Sequence, residues 1–162
     1  MPEKMNRIYK TILIFFMLFS GQSVFAQNNP QLTSELMMTL RLSAGEQINA
    51  GDTLIGPITG GSFYGEGIQG TVLPGGADWM SVSEGHNNLN VRITLETDAG
   101  EFIYMSYTGI LIFADNPIDM YWTVAIKFQT ASEQLDWLNH IVAIGKGRVE
   151  NRSIVYDIFN II

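Results

Sequence analysis

The sequence predicts an all-β protein, an antiparallel up-and-down β-barrel of about eight to ten strands with one short helix near residues 132–140. Polar and apolar residues alternate with a period of two in several segments, turns rich in glycine separate these segments, and no βαβ alternation occurs. A closed barrel leaves no sheet edge exposed, which favours it over a β-sandwich, the alternative architecture.

The N-terminal segment has the pattern of a cleaved export signal. Three basic residues precede the apolar run 12–19, and small residues follow it as far as Ala26. This run is about half of the roughly 20 residues that a helix needs to cross a bilayer, so we expect no stable membrane anchor. The sequence predicts a signal peptide over residues 1–26, cleavage near Ala26, and a periplasmic or secreted product.

The rest of the chain has the length of one domain. We interpret the polar segment 27–33 as a disordered lead-in and expect residues 34–162 to form a single barrel. Without residues 1–26, the 9 basic and 16 acidic residues fall to six and fifteen, a net charge of −9. Phosphate binding needs concentrated lysine and arginine, so we expect no nucleic-acid partner. The sequence leaves the oligomeric state open.

The strands follow in order along this domain. Leu36, Met38, Leu40 and Leu42 alternate along a first strand and share one of its faces. Glycine is dense over residues 56–76, which predicts bulges and sharp bends at barrel corners. The clearest hairpin comes next and joins residues 90–97 to 101–108 through the turn Asp98-Ala99-Gly100. Four further strands are predicted after it, over residues 109–114, 121–130, 141–144 and 153–162.

Helical spacing replaces strand alternation over residues 132–140. Ser132 is a suitable N-cap, and Leu135, Leu138 and Trp137 are expected to face inward. This two-turn segment is the only helix that the sequence predicts after the signal peptide.

Metal and cofactor chemistry has little support in the sequence. The two histidines, His86 and His140, stand without a second ligand at metal spacing, and the chain has no cysteine. We therefore expect neither a metal nor a cofactor.

The segment 74–79 offers a carboxylate and a large ring after a flexible turn. Asp78 can accept a proton or orient a ligand, and Trp79 can form the wall of a pocket. The alternative is that Asp78 stabilises its own turn by bonding to nearby backbone amides.

Two cations, Arg92 and Lys127, lie on the polar faces of alternating strands, with Tyr104 or Tyr107 nearby. If these faces look inward, they line a polar lumen; if they look outward, they form a solvated surface. Periodicity fixes the alternation but not its sense.

Three stretches carry a family resemblance over nearly the whole domain: GPITGGSFYGEGIQGTVLPGGADW, LNVRITLETDAGEFIYMSYTG, and YWTVAIKFQT followed by DWLNHIVAIGKGRVENRSIVYDIF. Together they resemble the domain of unknown function 3237 family, also called uncharacterised protein family 0311, and the export signal makes this chain a secreted member. The resemblance implies a single-domain antiparallel barrel. Its recurrent residues with polar groups are matched here by Asp78, Trp79, Arg92 and Asn139, which supports a pocket.

Two positions depart from the family pattern, since Asn90 and Gln129 stand where the family tends to have acids. If either acid transfers protons elsewhere in the family, this chain has lost that group and only binds.

Three functions follow from these residues. The first is binding of a small apolar or aromatic molecule in the lumen by Asp78, Trp79, Arg92, Tyr104, Lys127 and Asn139. The second is a cofactor-free isomerase, lyase or hydratase that uses Asp78 as general base and Arg92 to stabilise an oxyanion. The third is a structural envelope protein.

Overall fold

The computed structural model describes residues 31–162, which form a closed antiparallel β-barrel. The strands are β1 (Ser34–Ala44), β2 (Ile48–Asn49), β3 (Thr53–Gly65), β4 (Ile68–Val72), β5 (Gly76–Ser83), β6 (His86–Thr97), β7 (Phe102–Ile112), β8 (Tyr121–Thr130), β9 (Ala143–Glu150) and β10 (Ser153–Ile161). In this part of the chain the helical segments are two 3₁₀ helices, Pro117–Asp119 and Asp136–His140. The predicted signal peptide, residues 1–26, lies outside the described residues.

Hydrogen bonding runs around the wall in a complete circle. From β1 it passes through β10, β9, β8 and β7 to β6. β4 and β5 share the next position, since each pairs with β6 on one side and with β3 on the other. β3 also pairs with β1, which closes the barrel. The predicted barrel is confirmed, and the β-sandwich alternative is not adopted.

β3 bends near the start of the glycine-dense segment. Its first part pairs with β5 and its second part with β4, and Gly60-Gly61 lies at the junction. A Cβ added to Gly61 would lie 2.1 Å from the carbonyl oxygen of Arg41 on β1. Glycine is therefore needed for the close approach of β3 and β1 at this corner.

The interior of the barrel is filled by apolar side chains. On β6, Leu89, Val91, Ile93 and Leu95 alternate with polar residues and are all buried. All the other strands except the exposed β2 also contribute apolar side chains, so the core is continuous around the wall. Its largest fully buried members are Tyr156, Phe63, Met38, Leu40, Leu42, Ile93, Leu95, Ile103, Met105, Ile126, Leu138 and Ile158.

The first strand follows its predicted face except at its start. Met38, Leu40 and Leu42 are buried, whereas Leu36 is 60% exposed. The reason is a register shift between Leu36 and Met38 in the pairing of β1 with β10. Just before this strand, Thr33 exchanges hydrogen bonds with Ile162.

The predicted hairpin is confirmed, with β6 and β7 joined through a turn at Gly100. The separate strand predicted over 109–114 is not present, because β7 continues through Gly109 to Ile112. Gly109 faces inward, and an added Cβ there would lie 2.6 Å from a methyl group of Val124. Its role is to make room in the core, not to end a strand.

The predicted helix is shorter than expected, a 3₁₀ helix over Asp136–His140. The Ser132 hydroxyl accepts a hydrogen bond from the N–H of Leu135 at 3.2 Å. Leu135 and Leu138 join the core as predicted, whereas Trp137 is 41% exposed. Within residues 31–162, no helix has the length and apolar character required to span a bilayer.

Candidate functional site

The outer face of β6, β7 and β8 carries three of the predicted site residues. Arg92 lies between the buried Val91 and Ile93, so its side chain points away from the interior. The same alternation turns Tyr104 and Lys127 outward. The polar strand faces look out of the barrel, so the expectation that these residues line a lumen is wrong. The inward positions of the same strands hold the apolar core instead.

Arg92, Ser106 and Lys127 lie directly opposite one another on three neighbouring strands. β6 and β7 pair Arg92 with Ser106, and β7 and β8 pair Ser106 with Lys127. Since neighbouring strands are about 4.8 Å apart, the Cα atoms of the two cationic residues are about 10 Å apart, with the serine between them. We call these three residues the cationic row. Tyr104 stands two residues from Ser106 on the same face of β7.

The cationic row lies in a surface cleft made of two adjoining depressions, of about 340 and 710 Å³. We call them together the outer cleft. Both depressions are lined by Ser106, Lys127 and Val142. The first is completed by Asn90, Arg92, Tyr104, Tyr107, Thr108 and Ala125, and the second by Phe128, Gln129, Thr130, Asn139, His140 and Ile141. The two amides that depart from the family pattern, Asn90 and Gln129, both belong to this lining.

The outer cleft exists because β8 loses its strand partner halfway along. β8 pairs with β9 only over residues 123–126. Further along, Asn139 replaces the missing strand: its Nδ2 donates to the carbonyl of Thr130 at 3.0 Å, and its Oδ1 accepts the N–H of Thr130 at 2.9 Å. The Asn139 amide therefore attaches the 3₁₀ helix to β8, and its hydrogen-bonding groups are engaged by protein.

Trp79 supports the cationic row from β5. The guanidinium carbon of Arg92 lies 5.3 Å from the centre of the Trp79 ring. A cation over an aromatic face is attracted by the ring quadrupole, so this contact restricts the positions of a long side chain. Trp79 acts on the outer cleft through Arg92.

The cations of the outer cleft differ from Arg41 and Arg148 on the barrel surface but not from Lys146 and Arg152, which also form no ion pair in the described part of the chain. Arg41 pairs with Glu150, and Arg148 pairs with Glu150 and Asp157. Among residues 31–162, neither Arg92 nor Lys127 forms an ion pair with a carboxylate. The lining of both depressions also contains no aspartate or glutamate. The outer cleft is thus a positive region on an acidic protein.

Asp78 lies on the opposite side of the wall from Arg92. Its Cα is paired with that of the buried Val91, and its Oδ1 accepts the N–H of Asn90 at 2.9 Å. Burial raises the pKa of the Asp78 carboxyl to about 6, and the hydrogen bond from Asn90 opposes this rise. Asp78 thus bonds to an amide of the neighbouring strand, not of its own turn. A ligand on one side of the wall does not contact both Asp78 and Arg92.

An aromatic cluster that the sequence analysis did not identify lies inside the barrel near Asp78. The Tyr156 ring meets Tyr107 and Trp122 edge to face, at centroid distances of 5.3 and 5.5 Å. Burial raises the pKa of both tyrosine hydroxyls, and the charge of Asp78 adds to the rise.

Two residues of the outer cleft, Ser106 and Val142, were not among the predicted site residues. The position of Ser106 could have been predicted from the sequence, because the predicted hairpin turn places it opposite Arg92. The position of Val142 could not, since it depends on the point where β8 and β9 separate. In residues 31–162, no cluster of three or more histidine, aspartate or glutamate side chains could hold a metal ion.

The fold and the sequence agree with one family. The model of the family described as "Protein of unknown function (DUF3237)" matches residues 30–161. The chain belongs to the DUF3237 family.

Proteins similar to this DUF3237 chain are found in bacteria and in a fungus. A UPF0311 protein of Rhodopseudomonas palustris (strain TIE-1) is 27% identical, over 82% of this chain and 99% of that protein. The crystal structure of a β-barrel-like protein from Acinetobacter baumannii AYE is 27% identical over 84% of this chain and 99% of that one, with a TM-score of 0.74. An enzyme from Penicillium herquei has a TM-score of 0.64 and 24% identity over 82% of this chain and 97% of that one, and it shares the fold.

Proposed function

We propose that this DUF3237 protein binds a small, largely apolar or aromatic molecule in the outer cleft, on the surface of the barrel instead of in its lumen. The observation that carries the proposal is the convergence of Arg92, Ser106, Lys127 and Tyr104 on one cleft. Small-molecule sites are concave and mostly apolar, with a few polar groups that orient the ligand. The outer cleft is more polar than such sites usually are, but Tyr104, Ala125 and Val142 supply apolar surface near the two cations.

Apolar contacts come from two sides of the outer cleft. Tyr104 is 38% exposed and Val142 is 50% exposed, so both side chains present surface to a ligand. Ala125, a small residue of the same lining, lies on the other side of the cationic row from Tyr104. An aromatic ring placed between Tyr104 and Val142 would cover apolar surface that water now contacts.

Polar contacts come from the wall of the same cleft. Ser106 offers a hydroxyl between two cations, and Arg92 is restrained by Trp79. Groups held in place before binding lose less entropy when a ligand arrives. This arrangement favours binding at the outer face over the barrel interior, where apolar side chains already fill the space.

The binding proposal is tested with two naphthalene probes, neutral 2-naphthamide and anionic 2-naphthoate. We expect amide chemical shifts of the purified protein to change in the outer cleft, at Tyr104, Ser106 and Val142, for at least one probe. Tyr104→Ala should weaken binding by about fivefold or more, since it removes an exposed ring. Tyr64→Ala, which changes a 59% exposed tyrosine on β3, is the matched control. Absence of binding by both probes would contradict the proposal.

We also propose that the protein is exported and works as a periplasmic or secreted protein. Support comes from the basic residues and the apolar run before Ala26. The absence of cysteine makes the domain independent of the redox state of its compartment.

A further inference from the structure

We infer that the ligand of the outer cleft carries an acidic group, a carboxylate or a similar oxyanion, held between Arg92 and Lys127 above Ser106. This inference rests on the proposed binding function and adds the chemical class of the ligand. It follows from the register of three strands and from the charge distribution of the barrel.

The register places the two cations at a suitable separation. Arg92 and Lys127 flank Ser106 in one row on the same outward face, with Cα atoms about 10 Å apart. Both side chains are long enough to approach a group centred over the serine from opposite sides. A planar carboxylate can accept two N–H hydrogen bonds from the guanidinium and a third hydrogen bond from the ammonium N–H or the serine O–H.

The charges around the cleft leave these cations available. Arg41 and Arg148, also on the barrel surface, are engaged by Glu150 and Asp157. In the described part of the chain, Arg92 and Lys127 have no such partner, and no carboxylate lines the outer cleft. Two uncompensated like charges side by side repel each other, and an anion placed between them removes this repulsion.

Trp79 acts as a positioning residue for the anion. Its ring lies 5.3 Å from the guanidinium carbon of Arg92, and Trp79 itself is outside the lining of the outer cleft. Replacing it should loosen Arg92 without removing a surface that the ligand covers. Its loss is therefore expected to affect acidic ligands more than neutral ones.

The test compares the affinities of 2-naphthoate, 2-naphthamide and 2-naphthylmethylammonium for the protein by isothermal titration. We expect 2-naphthoate to bind about tenfold more tightly than 2-naphthamide, and the ammonium probe to bind most weakly. Arg92→Gln and Lys127→Gln should each reduce the ratio of naphthoate to naphthamide affinity several-fold, because glutamine keeps a hydrogen-bond donor but not the positive charge. Lys146→Gln, a cation that contacts Tyr121 outside the outer cleft, should leave the ratio unchanged.

Each outcome separates the two proposals. If no probe binds, the binding function itself fails. If naphthoate and naphthamide bind equally in the outer cleft, the binding function stands and the acidic-ligand inference is overturned. The inference is also overturned if the double variant with Arg92→Gln and Lys127→Gln keeps the affinity ratio of the wild type. Trp79→Leu should lower the ratio and Trp79→Phe should largely restore it, whereas a purely structural role would weaken both probes alike.

Discussion

At the scale of single residues, Asp78 links the interior of the barrel to pH. The ordinary pKa of its carboxyl is 3.8, and burial raises the pKa in the folded protein to about 6. The folded state therefore holds this proton more tightly than the unfolded chain. The stabilisation is fully present below pH 3.8 and is lost as the pH rises through about 6.

Asp78→Asn should remove the loss of stability that the wild type shows as the pH rises, since the amide stays neutral and its oxygen can still accept the N–H of Asn90. We expect the variant to be more stable than the wild type at pH 8 by about 1–3 kcal/mol, and the difference to disappear below about pH 4. Urea unfolding across the pH range measures it. Asp52→Asn, at an exposed turn, serves as the control, and a gain that does not depend on pH would refute the explanation.

Arg152 occupies a backbone conformation that suits glycine. In the β9–β10 turn, Asn151 and Arg152 have φ of 50° and 66°. Two-residue hairpin turns with positive φ favour Asn-Gly, because a side chain at the second position is strained there. Arg152→Gly should raise the free energy of unfolding by about 0.5–1 kcal/mol after the entropy of glycine in the unfolded chain is included. Arg152→Ala keeps the strain, so equal stability of the two variants would argue against this reason.

The sequence selected residues that the outer cleft brings together, but it did not predict on which side of the wall they lie. Arg92, Lys127 and Tyr104 were selected from their residue types, and the structure brings them to one cleft. Alternation could not tell the inner from the outer face, because strands of both orientations have the same period. Asn139 was expected to contact ligand, but a local hydrogen-bond exchange with Thr130 engages it, which no pattern of residue types reveals.

At the scale of strands, glycines fit β9 against the core. A Cβ added to Gly147 would lie 2.5 Å from atoms of the Trp122 ring. At Gly56 on β3, by contrast, the added Cβ would be 3.6 Å from the Met80 Cε, an ordinary contact. The two glycines thus differ in steric demand while both lie within strands.

Gly147→Ala should lower the free energy of unfolding by about 1–3 kcal/mol, because a buried ring must move to admit the methyl group. Gly56→Ala should leave stability unchanged or raise it by up to about 1 kcal/mol. Thermal unfolding of both variants gives the comparison. The explanation fails if the two substitutions have the same effect.

Strand boundaries were predicted where turn residues mark them and missed where glycine has a packing role. The predicted turn at Gly100 is confirmed, whereas the strand predicted to begin at Gly109 is not present as a separate element, because β7 runs through this residue. A glycine that opens a turn and one that faces a crowded core have the same local sequence signal, and only the partner strand distinguishes them.

At the scale of the whole molecule, the proposed export predicts that residues 1–26 are removed. Expression of the full chain in a bacterial host should give a periplasmic or secreted product that begins at Gln27, as mass spectrometry of the purified protein would show. Ala26→Arg, which places a large charged residue at the cleavage site, should leave the longer form attached to the membrane. Recovery of the uncleaved wild-type chain from the cytosol would contradict the export proposal.

The barrel architecture was predictable because alternation and turn residues agree over most of the domain. The order of strands around the wall was not, since β4 and β5 share one position between β3 and β6. This sharing depends on the bend of β3 at Gly60-Gly61, where the paired β1 backbone approaches too closely for a side chain at Gly61.

The closure of the wall by β1 has a consequence for biogenesis. β1 is held by β3 on one edge and by β10 on the other, where Thr39 meets Asp157 from 118 positions further along the chain. A nascent polypeptide cannot seal this seam until β10 has been synthesised and has crossed any membrane in its path. Until then the unpaired edges of β1 and β9 can pair with strands of other chains, so slow completion of the barrel would promote aggregation.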